Sequence, residues 1–306
     1  MKKRDLTALE RELLKPVDKY LPVIIVIVVT IMSLFLRKIA IWWNYSEIIS
    51  GFDRHVGHVE SAFRYMTVFW AEHLPFLPVH TVKWMSGLAD FGLAALVTLL
   101  LRREDKTKNA LLYTVFLFSP VLYLRGIIWA QPDSPGMAFL LLAFWLSQKQ
   151  TGCTAPSDCR LSLRGCACVC FAAVGCALAP VLLPVMLLFL LFRRKADNRR
   201  MLCYQTIAAF FLTWLLQLFS LLLLDGKWEL SESILCCVRY LYTDPVTGTG
   251  FSSVADGLTG LARAIAFPAS VISFIRAGRK PTGRKIALAC AIQIAAAILY
   301  SSFLFS

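Results

Sequence analysis

Acidic residues are scarce in this chain: 19 Asp and Glu stand against 32 Lys and Arg, and only 17% of the 306 residues are charged. So little charge excludes an ordinary soluble domain, whose charged share is nearer a quarter. Segments alternating polar and β-branched residues are missing too, which excludes the strand pattern of a membrane barrel. The N-terminal stretch KKRDLTALERELLKPVDKY has no small-residue cleavage site, so it reads as a cytoplasmic lead-in over residues 1–20 to an uncleaved first helix. Histidine is the rarest ionisable type, with four residues.

Apolar residues, by contrast, make up 58% of the chain, and the mean hydropathy is +0.65. Runs near the ~20 residues that span a bilayer as helix lie at 21–43, 84–101, 110–128, 134–147, 201–224, 258–275 and 286–304. The expected fold class is all-α: a polytopic transmembrane helical protein, one domain over 1–306, with about seven spans. A further apolar run over 165–192 is interrupted by Gly175, Pro180 and Pro184 and has basic residues at both ends.

Basic clusters at the N-terminus, 102–108, 193–200 and 276–285 mark cytoplasmic flanks. If all four are inside, 165–192 enters and leaves on one side, as a broken or re-entrant helical hairpin bent near Ala179 and Pro180. The extracytoplasmic parts are then a first loop over 44–83, the turn at 125–134, and a last large loop over 225–257. Placed on those flanks, the net charge of +13 speaks for anionic lipid heads and not for nucleic acid. Six of the ten cysteines (Cys166, Cys168, Cys170, Cys176, Cys203 and Cys290) fall in expected helices, where they serve as small packing residues.

Ionisable groups beside hydrocarbon are costly, so they are the first candidates for function. The turn LRGIIWAQPDSPG gathers Arg125, Trp129, Gln131 and Asp133 within nine residues. Simpler roles are open to each: Arg125 snorkelling to the interface, Trp129 as an aromatic-belt residue, Pro132 and Pro135 opening the next helix. Asp90 lies inside a span, where it needs a partner such as Lys83. The first loop holds all four histidines together with Glu47, Asp53 and Glu60. As a helix it places Asp53 and Glu60 on one face, and a carboxylate there suits a general base at the water–lipid boundary. Solvated charges on an interfacial amphipathic helix are the plain alternative. Asp53, His55, His58 and Glu60 could instead hold a divalent metal, though they match no known ligand spacing. No cofactor is otherwise implied.

The segments VKWMSGLADFGLAALVTLLLLRR (82–103) and LLYTVFLFSPVLYLRGIIWAQPDSPGMAFLLLAFWLS (111–147), with ALAPVLLPVMLLFLLFRR (177–194), resemble the polyprenol-phosphate-sugar-dependent membrane glycosyltransferases of the C-type fold. The nearest group is the bacterial relatives of the second mannosyltransferase of glycosylphosphatidylinositol-anchor synthesis. In that resemblance the helical Asp corresponds to Asp90, a Ser-Pro pair to Ser119-Pro120, and a Trp-Gly-Gln-x-Asp-Ser turn to 129–134. The turn's Gly is Ala130 here, Arg125-Gly126 stands where Asn-Ser is usual, and the Lys expected near Cys176 is missing.

The resemblance implies transfer of a sugar, mannose in the nearest group, from a polyprenyl phosphate donor to a lipid or glycan acceptor outside the membrane, with inversion. It also implies an acidic residue early in the first outer loop, without choosing among Asp53, Glu47 and Glu60. On this reading Arg125 meets the donor phosphate, Gln131 and Asp133 hold sugar hydroxyls, and Asp53 is the base. The alternatives are a transporter or flippase of an amphiphilic lipid, and a catalytically inactive subunit of an envelope-polymer complex. A bacterial plasma membrane with a cytoplasmic N-terminus is the expected location.

Overall fold

Inside a bilayer, backbone N–H and C=O groups have no water to bind, so each long apolar run closes its own hydrogen bonds as helix. The computed structural model describes residues 8–42, 69, 73, 78–102, 104–148, 163–191, 199–225, 230–231, 233–234 and 253–301, and every regular element among them is helical. In chain order these are α1 (Ala8–Trp42), α2 (Pro78–Leu100), α3 (Lys106–Leu117) and the single turn α4 (Pro120–Leu122), which runs on as a π-helical segment (Tyr123–Ile128). Then come α5 (Asp133–Gln148), α6 (Leu163–Leu178), a 3-10 turn (Pro180–Leu182), α7 (Leu183–Leu191), α8 (Arg199–Asp225), α9 (Val254–Arg279) and α10 (Gly283–Ser301).

Five helical stretches are long and apolar enough to cross a membrane: Lys19–Trp42, Val79–Leu100, Tyr204–Leu223, Val254–Arg279 and Gly283–Ser301. The chain is a multi-pass membrane protein. The count is below the seven spans expected, for two reasons. The run 110–128 is not one rod but two pieces, bent by 40° between Leu117 and Pro120. Pro120 has no N–H to donate, and its ring turns Ser119 out of the helical region; Ser119 sits at φ −59, ψ 126. The run at 134–147 forms α5, whose 16 residues reach ~24 Å at 1.5 Å each, short of a ~30 Å core.

Other boundaries also move. α1 continues back to Ala8 through the expected lead-in. Instead of opening at 84, α2 starts at Pro78, a residue preset for the first helical position, so His80 and Lys83 belong to a helix and not to the first loop. Ser253 caps α9 by accepting from the Asp256 N–H at 3.1 Å, which shortens the last loop by a turn. The break foreseen near Ala179 is present: α6 stops at Leu178, and Ala179 is extended (φ −136, ψ 87) before the 3-10 turn.

Small residues decide how the helices pack. α5 and α6 make the most extensive contact, and they cross where a Cβ on Gly175 would lie 2.6 Å from the Gly136 carbonyl oxygen. Close backbone approach through glycine is how helices associate where lipid gives no hydrophobic advantage. Around this crossing Met137, Leu140, Cys168, Ala172 and Cys176 are buried in one cluster. Cys168 donates its thiol hydrogen to the Ala143 carbonyl. Cysteines 166, 168, 170, 176 and 290 form no disulfide among the described residues. α5 also packs on α2, α6 on α8, and α9 on α10, whose turn end meets the α2 terminus where Gly278 touches Leu101.

That last contact orders the ends of the bundle. Arg102 and Lys108 share one cavity wall with Gly278, Pro281 and Ile286, and Arg102 with Lys106 shares another with Pro22 of α1. The basic segments at 102–108 and 276–285 and the N-terminal part of α1 therefore lie at one end. The 125–134 turn lies at the other, beside Tyr300 of α10.

A Gly175→Ala protein should unfold with a loss of about 1–3 kcal/mol, as overpacking does, because its new Cβ meets backbone that cannot yield. Gly92→Ala, with nothing within 4 Å of the added carbon, should be neutral or gain up to ~1 kcal/mol. Thermal unfolding in detergent, followed by circular dichroism, compares the two. Equal behaviour would refute the close crossing.

Candidate functional site

A guanidinium in hydrocarbon survives only if every donor finds an oxygen. Arg37, in the apolar run of α1, is 1% exposed. Its Nε and Nη2 both donate to Asp90 Oδ2, at 3.2 and 2.9 Å. Nη1 donates to the Tyr123 hydroxyl at 3.0 Å and to Ser33 Oγ. Nη2 also reaches the Leu117 carbonyl at 3.2 Å. That carbonyl belongs to the last turn of α3, where the helix has ended and no intrahelical donor follows. Arg37 thus fills the gap that Pro120 opens, and its carbon lies over the rings of Tyr123 (4.4 Å) and Phe91 (5.0 Å). The partner of Asp90 is Arg37 on a neighbouring helix, not the Lys83 on its own helix suggested by the sequence.

A second ion pair sits in the turn. Arg125 Nε donates to Asp133 Oδ2, and both side chains are buried. The backbone between them is unusual. In the π-helical segment the Trp129 N–H reaches five residues back to the Leu124 carbonyl (3.0 Å), and the Gln131 N–H six back to that of Arg125 (3.2 Å). Ala130 then adopts φ +53, a left-handed conformation natural to glycine and strained for alanine. Reversal at Ala130 starts α5 at Asp133, whose carboxylate lies at a helix N-terminus as well as on Arg125.

Small residues let this turn seat against α2. A Cβ on Gly126 would come within 3.1 Å of Ser86 Cβ, and one on Gly87 within 3.0 Å of Ile127. Ser86 Oγ donates to the Gln131 carbonyl at 2.7 Å. Lys83, Ser86 and Asp90 are spaced three and four residues apart, one face of α2, and all three are fully buried. Two buried oxygens, Asp90 Oδ1 and Ser134 Oγ, have no hydrogen-bond partner among the described residues. Ser134 neighbours Asp90 closely enough to act on its carboxylate, although the pair falls outside hydrogen-bonding geometry.

The C-terminal hairpin completes the enclosure. Trp129 Nε1 donates to the Tyr300 carbonyl at 3.0 Å, and the Tyr300 hydroxyl to the Arg263 carbonyl at 2.6 Å. The Arg125 guanidinium lies 5.3 Å over the Tyr300 ring. At the α3–α4 break, Ser119 Oγ donates to Gln293 Oε1 (2.7 Å), and Gln293 Nε2 to the Ser270 carbonyl (3.1 Å).

Among the sequence candidates, then, Arg125, Trp129, Gln131 and Asp133 converge in one buried turn, and Asp90 lies against it through Ser134. Arg125 does not snorkel and Trp129 is no belt residue, since both are buried and bonded within the bundle. Asp53, Glu47 and Glu60, with His55 and His58, lie outside the described residues. No cluster of His, Cys, Asp and Glu suited to a metal occurs among the described residues. Sequence reasoning missed Arg37, Tyr123 and Tyr300, and it named Lys83 only as a partner for Asp90. A charge inside the first apolar run was the available signal for Arg37; Tyr300 offered none. Compared as a whole, the chain matches no protein-family description, curated protein or solved structure.

Replacing Arg37 or Asp90 singly by Leu should cost about 3–5 kcal/mol, since each strands a buried charge, while the double replacement should cost less than the sum. A double-mutant cycle by denaturant unfolding in micelles measures this; strictly additive losses would show that the two are not coupled. Ala130→Val should lose about 1–3 kcal/mol from its left-handed backbone while Ala130→Gly holds or gains stability, read in the same assay.

Proposed function

We propose that the protein is a membrane glycosyltransferase that moves a sugar, mannose in the closest reading, from a polyprenyl phosphate to an acceptor at the extracytoplasmic face. One observation carries this reading: two buried ion pairs, Arg37–Asp90 and Arg125–Asp133, with the buried Lys83 on the same α2 face as Asp90, gather where α2 packs against the turn, and this turn lies at the end away from the basic segments. With those segments cytoplasmic, the 125–134 turn faces outward, where a lipid-linked sugar keeps its tail in hydrocarbon and presents its anomeric carbon to an acceptor.

The chemistry needs few groups. A carboxylate takes the proton of the acceptor hydroxyl, whose oxygen forms a bond to the anomeric carbon from the face opposite the phosphate. The bond from that carbon to the phosphate oxygen breaks, and the polyprenyl phosphate leaves with the electron pair. Positive charge stabilises that leaving group; Arg125 and Lys83, on elements that pack together, are assigned this role. Asp133 orients Arg125, and Gln131 meets the sugar hydroxyls. The base comes from the first outer loop, Asp53 ahead of Glu47 and Glu60. Asp90 holds α1 to α2 through Arg37 and is a positioning residue.

The helix breaks at Ser119–Pro120 and Ala179–Pro180 support the rival reading, a lipid transporter, because broken helices often line transport paths. One experiment separates the two. Purified protein in liposomes with synthetic polyprenyl phosphate mannose should release polyprenyl phosphate only when acceptor lipid is supplied. Asp53→Asn should abolish release, and Arg125→Ala or Lys83→Ala should lower it at least ~100-fold, the scale of one lost oxyanion contact. Donor that crosses the bilayer with its sugar attached would establish the transporter instead.

A further inference from the structure

The α9–α10 hairpin is a region of single-sign charge. After Asp256 the chain holds no acidic residue, while Arg276, Arg279, Lys280, Arg284 and Lys285 fall within ten positions at the turn. Arg279 lies 5.8 Å over the Phe144 ring, and the other four have no carboxylate partner among the described residues. Ordinary surface cations on a helical turn need no ligand. What distinguishes these is the groove that ends on them.

A cavity of about 640 Å³ runs between the 3-10 turn with α7 on one side and α9 with α10 on the other. Its walls are apolar: Val181 and Val185, Ile265 and Ile272, Leu288 and Ile292. Arg276, Arg284 and Lys285 line one end, and among the described residues no acidic one lines it. From Leu261 to Arg276 the α9 wall extends ~22 Å, at 1.5 Å per residue. An apolar groove of that length, partly open along its side and ending on cations, fits an acyl chain with a negative head.

The larger cavity at the same end makes the contrast. It has about 970 Å³, but Glu104 and Asp105 line it beside Arg102 and Lys108, so its described charges offset one another. We infer that the groove between α7, α9 and α10 is a binding site for one anionic phospholipid of the cytoplasmic leaflet, its phosphate held by Arg276, Arg284 and Lys285. Basic pockets between spans on the cytoplasmic side recognise anionic lipid heads in this way. The cationic end of the groove lies at the far end of α9 and α10 from Arg263 and Tyr300, and none of its three cations takes part in the catalytic proposal.

Native mass spectrometry of the full chain in detergent, titrated with phosphatidylglycerol and with phosphatidylcholine of the same acyl chains, tests this. Wild type should retain one phosphatidylglycerol at least about tenfold more tightly than phosphatidylcholine, a modest demand on three cations. Arg276→Gln/Arg284→Gln/Lys285→Gln should erase the preference. Ala269→Trp, which fills the groove and leaves every charge, should expel the lipid, while Arg102→Gln/Lys108→Gln should change nothing. Elution as a monodisperse peak and unchanged helical circular dichroism qualify each variant as folded. Equal binding of the two lipids by wild type would overturn the site. So would a preference that survives the groove-filling substitution, or one that is lost on neutralising Arg102 and Lys108, because either traces it to charge spread over the surface.

Discussion

A charge that enters hydrocarbon must bring its counter-charge with it, and the Arg37–Asp90 pair is where this rule organises the bundle. The guanidinium of α1 binds a carboxylate of α2, a carbonyl at the end of α3 and a hydroxyl of the π-helical segment. Four successive parts of the chain are thereby held at one point. Apolar packing alone would leave them free to slide, since lipid tails are as good a neighbour as leucine. A buried ion pair adds little net stability, but removing one partner is costly, and that asymmetry selects one arrangement of the helices.

The second pair depends on the first. Arg37 occupies the break before Pro120, so the chain resumes at a defined angle. The π-helical turn that follows then delivers Arg125 to Asp133. Strain is concentrated at Ala130, the non-glycine residue at φ +53, and it is held there by the Ser86 bond to Gln131, the Trp129 bond to Tyr300 and the two ion pairs around it. Backbone held in an unfavourable region by its surroundings is a common mark of a working site. Here it directs Gln131 and Asp133 into the same buried cluster as Arg125.

The two ends of the molecule differ in how they hold charge. At one end charges are buried, paired and enclosed by aromatic residues; at the other, cations of one sign face outward around an apolar groove. The proposed chemistry and the proposed lipid site fall at these two different ends.

Composition alone determined that this chain lives in a membrane as helices, because few charges and long apolar runs leave no other way to satisfy the backbone. Local chemistry also located the break at Ala179–Pro180 and the cluster at 125–133, since proline and polar side chains act on their own neighbourhood. Partner choice was not legible. Nothing in the residues around Asp90 says that Arg37, 53 positions away, and not Lys83 on the same helix, would meet it; nothing near Trp129 points to Tyr300, 171 positions on. Nor could a hydropathy count see that 110–128 bends or that α5 falls short of a full crossing. The sequence states which groups need partners, because that follows from the cost of burying them. Which groups they receive is decided by how glycines and serines let the helices approach, and that exists only in three dimensions.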